Sequence, residues 1–573
     1  MTYLFLFTIG PVQSFIAQAR KTQDLYAGSR LLSDLIHFAT NQVGEQNIIY
    51  PAPNVPSKPN RFIAQMPISD KDAMRNYAEE LTTDVKAEFM RIAQTYLGCF
   101  SNWEACQQQL RDFLEVHWAA VPYDGSNYGK DYKELEQQLG AAKNFRPFKQ
   151  INEWGRKCSV TGTQNALFYR KNKGKKEAAY LCKECIILSF NDTYLHYWAL
   201  EAGEGLSAIV LLKRLYGRVG NIFVDEFPST ADIAMLSTFS KLNERIDNKI
   251  KTLADAIGET PQTIGQFWFK ENYNAAYFTQ QGKDGKLADA KDAWEQIDTC
   301  IKLLKYSYHK YYAVLLFDAD DMGKKIGEAD EKMQNELSEK LGEFAEWARN
   351  YVENENRGKV IYAGGDDFLG MLTLPTLYET VQKLRQKFAE IVGMNFSAGI
   401  AIAHYKTPLS ETLQWARKME KQAKDVDKKD AFAIAAVRHS GQVTTTKLKW
   451  KIDFAKDYSD DNMTTTALQI IYEQLRDNFS SQWIRILENE GDIFEDAVNI
   501  GSTSYKMLVS ELQRLINRAC KLTDKDAKKV NSERLSKTIT ELLDTIWLVN
   551  DKNIQPVIDL LSIADFSNRK INE

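Results

Sequence analysis

The segment Val360-Ile-Tyr-Ala-Gly-Gly-Asp-Asp-Phe-Leu-Gly-Met371 constrains this chain most. Two apolar runs flank Gly364-Gly365-Asp366-Asp367, which is the pattern of a β-hairpin whose glycines permit positive φ at the tip. Alone, such a tetrapeptide is also an ordinary solvent-exposed turn. A second acidic cluster changes the reading: Phe317-Asp318-Ala319-Asp320-Asp321 ends an apolar run upstream. Carboxylates brought close together disfavour one another's ionisation unless a cation neutralises them.

The elements around these clusters fix how they meet. Ala313–Phe317 reads as a strand, and Leu337, Leu341, Phe344 and Trp347 recur at helical spacing. The hairpin arms are Val360–Ala363 and Phe368–Leu372, and Phe396–Ala403 is a further strand. Leu409, Leu413, Ala416, Met419 and Ala423 mark a helix face before a last strand, Ala431–Val437. The order is β-α-β-β-α-β, the ferredoxin-like arrangement. In that sheet the first strand lies beside the hairpin, so Asp318, Asp366 and Asp367 converge at one end. An all-oxygen site of this kind suits Mg²⁺ or Mn²⁺, hard ions that complete their shells with water and phosphates. Two ions there would activate an attacking hydroxyl and stabilise leaving pyrophosphate, the chemistry of a nucleotide-polymerising palm. Gly364 and Gly365 would let a triphosphate approach the backbone. Asp320 and Asp321 equally suit the start of the next helix, and Lys424 suits either a phosphate or a helix C-terminus.

At 573 residues the chain exceeds one hydrophobic core. The expected fold is α+β and multidomain. Residues 1–235 form a first domain with a cysteine-bearing insertion at 150–190, 236–308 a helical linking domain, 309–445 the Gly-Gly-Asp-Asp domain and 446–573 a helical carboxy-terminal domain. A weak internal repeat relates the first and third of these. With Phe7 placed on Phe317, Leu32-Ser33 and Phe38-Ala39 answer to Leu337-Ser338 and Phe344-Ala345. Thr8 then stands opposite Asp318 and Gly10 opposite Asp320, so the first copy is expected to be catalytically silent.

The net charge of −4 argues against coating nucleic acid by charge alone. The basic run Arg170-Lys-Asn-Lys-Gly-Lys-Lys176 reads as a solvated loop or as an RNA contact. No run of about 18 apolar residues marks a membrane span. The apolar start, Met1–Gly10, has no basic n-region and reads as a buried strand. Seven cysteines without a secretion signal argue against a disulfide framework and for the cytoplasm.

Several segments together resemble the large subunit of type III-B (Cmr-type) CRISPR effector complexes, the palm-containing cyclic-oligoadenylate synthase of antiviral defence. They are Ile9-Gly-Pro-Val-Gln-Ser-Phe-Ile16, Ala27-Gly-Ser-Arg-Leu-Leu-Ser33, Phe227-Pro-Ser-Thr-Ala-Asp-Ile-Ala234, Asp318–Gly323, Gly364–Asp367, Ser397-Ala-Gly-Ile-Ala-Ile-Ala-His404 and Arg438-His-Ser-Gly441. The resemblance implies two facing ferredoxin-like palms of nucleotide-cyclase type holding two ATP molecules, with Asp318, Asp366 and Asp367 on the divalent metals. It places Ser33 and Ser338 against adenine rings and Lys424 on a phosphate. It implies partnership with other Cmr-type subunits, guide RNA and target RNA, whose pairing switches on AMP transfer from ATP. The product is cyclic oligoadenylate or, in an alternative that enzymes of this kind also offer, a conjugate of AMP with S-adenosylmethionine. A structural subunit with an inactive palm is the rival class.

Two departures accompany the resemblance. Many members carry an amino-terminal HD nuclease, whereas none of the six histidines here precedes an aspartate, so no DNase activity is expected. Relatives often have Cys-x-x-Cys twice in the first palm; here Cys182-x-x-Cys185 is intact, but Cys158-Ser-Val-Thr161 has threonine in place of the second cysteine. Four thiolates close a structural zinc site, so Cys158, Cys182 and Cys185 are left as an incomplete Zn²⁺ ligand set.

Overall fold

The computed structural model describes residues 2–572 except 53, 54, 56, 57, 145–152, 174–179, 191, 193, 196–198, 220, 221, 224, 225, 240–243, 262, 365, 452–462, 491–501 and 550–554. Strand β1 (Thr2–Gly10) is buried along its interior, as its apolar run requires. It is followed by helix α1 (Thr22–Val43), strands β2 (Ile48–Tyr50) and β3 (Arg61–Met66), helix α2 (Lys71–Leu97) and strand β4 (Glu115–Tyr123). The sheet order is β2-β3-β1-β4 and every pairing is antiparallel. Helix α2 shows why such segments are helical. Met74, Ala78, Leu81, Val85, Phe89, Ala93 and Leu97 form one buried stripe, and the Asp70 side chain caps the start by accepting from Ala73 N at 2.7 Å. Helix α3 (Tyr128–Asn144) packs on β4.

The cysteine-bearing region adds a small sheet of β5 (Phe168–Arg170), β6 (Ile186–Leu188) and β7 (Gly205–Leu206). Arg170 does not belong to a solvated basic loop: it is fully buried, and its guanidinium donates to the carbonyls of Leu200 at 2.7 Å and Asp192 at 2.8 Å. Within the same run Lys173 pairs with Asp284 at 3.2 Å, whereas 174–176 lie outside the described residues. Helix α4 (Ala208–Leu215) then sends two charges inward. Arg214 sits between Asp24 at 3.1 Å and Glu204 at 2.7 Å. The ammonium of Lys213 donates to the carbonyls of Phe15 and Gln18, and its stem crosses α1 at Gly28, where a Cβ would lie 2.8 Å from Lys213 Cδ. The glycine of the Ala27-Gly-Ser-Arg segment is thereby explained by a crossing side chain.

Helix α5 (Thr230–Phe239) carries the Phe227-Pro-Ser-Thr-Ala-Asp segment into the linking region. Asp232 accepts there from Gly265 N at 2.7 Å, Trp268 Nε1 at 2.8 Å and Ser229 Oγ at 2.7 Å. Helices α6 (Glu244–Ile257) and α7 (Leu287–Leu303) pack together behind it.

The second sheet is built from β8 (Tyr311–Ala319), helix α8 (Glu331–Asn354), β9 (Gly358–Gly364), β10 (Asp367–Thr373), helix α9 (Leu377–Val392), β11 (Phe396–His404), helix α10 (Leu409–Lys424), β12 (Ala431–Val437) and β13 (Val443–Lys449). Its order is β9-β10-β8-β11-β12-β13. Only β11 and β12 pair in parallel. The last strand does not announce itself in the sequence, because Val443-Thr-Thr-Thr-Lys-Leu-Lys449 is half polar; its inner face is covered by the final helix, α11 (Gln555–Asn572). Buried residues of both large sheets and of the carboxy-terminal helices form one continuous core that includes Leu4, Tyr128, Phe317, Phe344, Leu468 and Phe566. Among the described residues no helix is long and apolar enough to cross a membrane.

Candidate active site

Asp318 lies near the end of β8, directly opposite Asp367 on β10, and the backbone N–H of Ala319 donates to the carbonyl of Asp366 at 3.1 Å. The strands beneath are locked by a stack of rings. Phe317 lies 4.7 Å from Phe368 and 3.8 Å from Phe396, nearly parallel to both. Asp318, Asp366 and Asp367 each place one oxygen within 4.8 Å of the others. Burial, and then the negative charge of Asp318, pushes the Asp366 carboxyl above its ordinary range. Asp367 is driven up further by burial and by both neighbours. The donor set is all oxygen and its repulsion is what a hard divalent cation relieves, so these residues fit Mg²⁺ or Mn²⁺. Gly364 pairs with Asp367 at the base of the turn, and Gly365 lies outside the described residues.

Helix α10 brings a cation to the carboxylates. It can approach because β11 has glycine at its contact point. A Cβ on Gly399 would sit 2.0 Å from Ala416 O and 2.2 Å from Glu420 N. One turn on, Lys424 forms an ion pair with Asp318 and a second with Glu420 at 2.8 Å. Burial works against the Lys424 charge, but the hydrogen bonds to Asp318 and Glu420 outweigh it and hold the ammonium protonated beyond its ordinary range. Lys424 therefore belongs to the site and is more than a helix-terminal charge.

The remaining acidic residues of the first cluster do something else. Asp320 is buried and turned away, accepting from Ser397 Oγ at 2.8 Å and Asp430 N at 2.9 Å. Asp430 in turn pairs with the fully buried Arg385 at 2.6 Å. Asp321 takes a left-handed conformation just before the helix at 322–328 and pairs with Lys429 at 2.6 Å.

A cavity opens between the two sheets above this site. The second sheet lines it with Asp318, Tyr362, Gly364, Asp366, Asp367, Arg417, Glu420 and Lys424. The amino-terminal part lines it with Ser29, Ser33, Tyr50, Lys58, Asn60 and Arg61. Ser33 and Ser338 are not brought to the same surface. Ser33 faces the cavity while accepting from Lys58 N at 2.9 Å. Ser338 is buried and accepts from Ala52 N at 2.6 Å, with Val55 against nearby Gly342. One loop, between β2 and β3, thus engages both serines but leaves space only beside the first. Tyr50, Lys58, Asn60 and Arg61 escaped the sequence reading. The signal was present: Asn60-Arg61-Phe62 occupies in the first repeat the place of Asp366-Asp367-Phe368.

The cysteines behave differently from the aspartates. Among the described residues the aspartate trio is the one group of three potential ligands that converges, and Cys158, Cys182 and Cys185 do not form another. A knuckle-like turn survives, with Cys185 N donating to Cys182 O at 3.1 Å. Cys182 Sγ is 3.4 Å from Ala166 O, and burial pushes the Cys185 thiol up to about 12. The three sulfurs do not converge, and with threonine at 161 they number one fewer than the four thiolates of a closed Zn²⁺ site.

Carboxylates from a central strand and an adjacent hairpin, set over a cavity, have the arrangement of a palm domain. Comparison with known proteins supports the palm. Residues 311–433 match the family described as Cas10/Cmr2, second palm domain, and residues 4–94 match CRISPR-associated protein Cmr2, N-terminal. These matches make two segments of the chain similar to Cas10/Cmr2 proteins. It is 25% identical over 562 residues to the CRISPR system Cmr subunit Cmr2 of Pyrococcus furiosus, an alignment covering 78% of this chain and 62% of that one. A shorter match, 26% over 233 residues, reaches the Cas10/Csm1 single-strand-specific deoxyribonuclease of the subtype III-A system of Streptococcus thermophilus, covering 38% of this chain and 28% of that protein. In fold the chain is similar to a component of the type III-B Cmr-beta assembly solved by cryo-EM in its apo state, with a TM-score of 0.67, 14% identity, 99% of this chain and 82% of the other. The target-RNA-bound form of that assembly gives a TM-score of 0.66 at 15% identity, with 99% and 83% covered. The chain spans about two thirds or less of the curated relatives it matches.

Proposed function

We propose that this chain is the nucleotidyltransferase subunit of a cytoplasmic type III CRISPR complex, which makes a second messenger from ATP once guide RNA pairs with target RNA. The observation that carries the reading is the convergence of Asp318, Asp366 and Asp367 on a cavity between two sheets of like connectivity. The amino-terminal sheet is a palm without carboxylates, and the second sheet is the catalytic palm. Divalent ions bound there would supply Lewis acidity and lower the cost of deprotonating the attacking hydroxyl. An acceptor hydroxyl gives its proton to solvent and attacks the α-phosphorus of ATP, the bond from that phosphorus to the bridging oxygen breaks, and pyrophosphate leaves with the electron pair. Asp318, Asp366 and Asp367 would hold the ions, the Gly364 turn would let the phosphates near the backbone, and Lys424 would move from Asp318 to a phosphate oxygen. Association with further Cmr subunits and RNA is supported by the likeness to the Cmr-beta assemblies.

Cyclic oligoadenylate is the product expected if both serine sites take ATP. With Ser338 filled and only Ser33 open, the two serines do not frame two equivalent adenine sites, which favours a second reading in which donor and acceptor differ, AMP transfer to an acceptor such as S-adenosylmethionine. Labelled ATP incubated with the assembled, target-bound complex, with and without S-adenosylmethionine, separates them. A labelled product that needs the second compound establishes the conjugate. An oligoadenylate formed from ATP alone establishes the first reading, and no labelled product in either case removes the transferase.

A further inference from the structure

The carboxylate-free palm has put something specific where its partner keeps metal ligands. The register of the two sheets shows it residue by residue. Phe7 pairs with Phe62 and stacks on it at 5.2 Å, just as Phe317 pairs with Phe368 and stacks at 4.7 Å. One residue further, Thr8 pairs with Arg61 where Asp318 pairs with Asp367. The backbone repeats as well: Ile9 N donates to Asn60 O at 3.0 Å, as Ala319 N donates to Asp366 O at 3.1 Å. Thr8, Asn60 and Arg61 therefore stand for Asp318, Asp366 and Asp367. Two neutral groups and a guanidinium replace three carboxylates.

Such a set has no anionic oxygen to offer a hard cation; the Thr8 hydroxyl donates to Asn60 O at 3.2 Å, and Asn60 Nδ2 makes only long contacts, 3.5 Å each, to Thr8 Oγ1 and Ile9 O, which an anion can replace. Asn60 and Arg61 line the same cavity as Asp366 and Asp367. Glu136 holds Arg61 through Nη1 at 2.9 Å, and Tyr132 donates to the same carboxylate at 2.6 Å, so the guanidinium is aimed rather than loose. Burial opposes the Arg61 charge, but Glu136, Tyr132, Tyr50 and Asp366 keep it protonated. A planar guanidinium beside an amide is suited to two oxygens of one anion.

We propose that Asn60 and Arg61 form a metal-independent anion subsite that holds the acceptor by its anionic end, facing the metal-bound donor triphosphate across the cavity. The assignment of that anion to the acceptor rests on the nucleotidyl-transfer reading above. The shared chemistry is an oxyanion, supplied either by a phosphate chain or by an amino-acid carboxylate.

Binding of inorganic triphosphate to the full chain in excess EDTA tests the subsite without metal or turnover. Arg61→Ala is expected to weaken it tenfold or more, and Arg61→Lys to restore part of it. The Asp366→Ala/Asp367→Ala double variant is expected to bind at least as well as wild type. A thermal melt of each variant excludes misfolding, and Arg61→Gln serves as the neutral comparison if Arg61→Ala unfolds. In the assembled complex, Arg61→Ala should raise the KM of the acceptor tenfold with a smaller change in kcat. Competition by ATP against triphosphate, compared with competition by S-adenosylmethionine, identifies the anion. Triphosphate binding that Arg61→Ala and Arg61→Gln leave unchanged overturns the subsite, even where transfer is observed. Binding lost in these variants by a chain that makes no nucleotide product keeps the subsite and removes the transferase.

Discussion

Replacing Asp320 and Asp318 separately by asparagine separates scaffold from chemistry within one acidic cluster. Asp320 accepts from Ser397 Oγ and Asp430 N, and both donors are fixed, the second by the Arg385–Asp430 pair. An asparagine presents an amide N–H₂ to one of them, leaving a buried donor without an acceptor, at a cost of about 1–3 kcal/mol. The carboxylate was itself costly to bury, as its upward-shifted pKa shows, and this offsets part of the loss. The expected net is a destabilisation of about 2 kcal/mol, or roughly 4–8 °C for a domain of this size. Asp318→Asn removes one of three repelling charges, and Lys424 keeps its pair with Glu420 at 2.8 Å, so metal-free stability should change little. The metal response should reverse the order. A site filled at a hundredfold excess over Kd adds about 2.7 kcal/mol. Asp320→Asn should keep that gain, and Asp318→Asn should lose most of it. The assay is thermal denaturation of each variant with and without Mn²⁺. Loss of the metal-induced shift in Asp320→Asn with its retention in Asp318→Asn would refute the division of roles.

Gly399→Ala should be far more damaging than its size suggests. Its Cβ would strike the backbone of α10 at Ala416 and Glu420, so the helix must move, at a cost of about 3 kcal/mol or more; denaturation measures the loss, and turnover of labelled ATP should fall as Glu420 and Lys424 shift. His404 provides a pH test. Burial, helped by His439, Lys310 and Lys406, lowers it to about 4, and its Nδ1 accepts from Lys406 N at 3.2 Å. Between pH 6.5 and 4 the unfolded chain binds a proton there that the native state resists, so stability falls as pH drops through this window. His404→Gln should flatten that slope, by at most roughly 3 kcal/mol, in denaturation measured at pH 7 and pH 4.5.

The hairpin and its acidic tip were legible because apolar alternation and Gly-Gly-Asp-Asp are local signals, and Asp318 followed from chain order. Asp320 was not separable from Asp318 in sequence: its partners Ser397 and Asp430 lie 77 and 110 residues away. The internal repeat suggested that the first copy lacks carboxylates, but the loop between β2 and β3 is longer than the Gly364–Asp367 turn, and this hid the correspondence of Asn60 and Arg61. Only the ladder register, anchored by the paired phenylalanines, recovers it. Ser33 and Ser338 looked equivalent because their helices repeat. Their surroundings differ because the loop between β2 and β3 packs against helix α8 at Ser338. The strand Val443–Lys449 was obscured by polar residues buried by distant partners: Thr446 donates to Pro556 O of the final helix at 3.0 Å, and Lys449 donates to the carbonyls of Asp427 and Lys429.

The most direct measurement is nucleotide product and pyrophosphate release from labelled ATP by the assembled, target-bound complex carrying Asp366→Ala and Asp367→Ala together. Loss of both signals with assembly intact is the expected result, since Asp318 alone cannot hold the ions. Product formed at the wild-type rate by the double variant would contradict the assignment of catalysis to this palm.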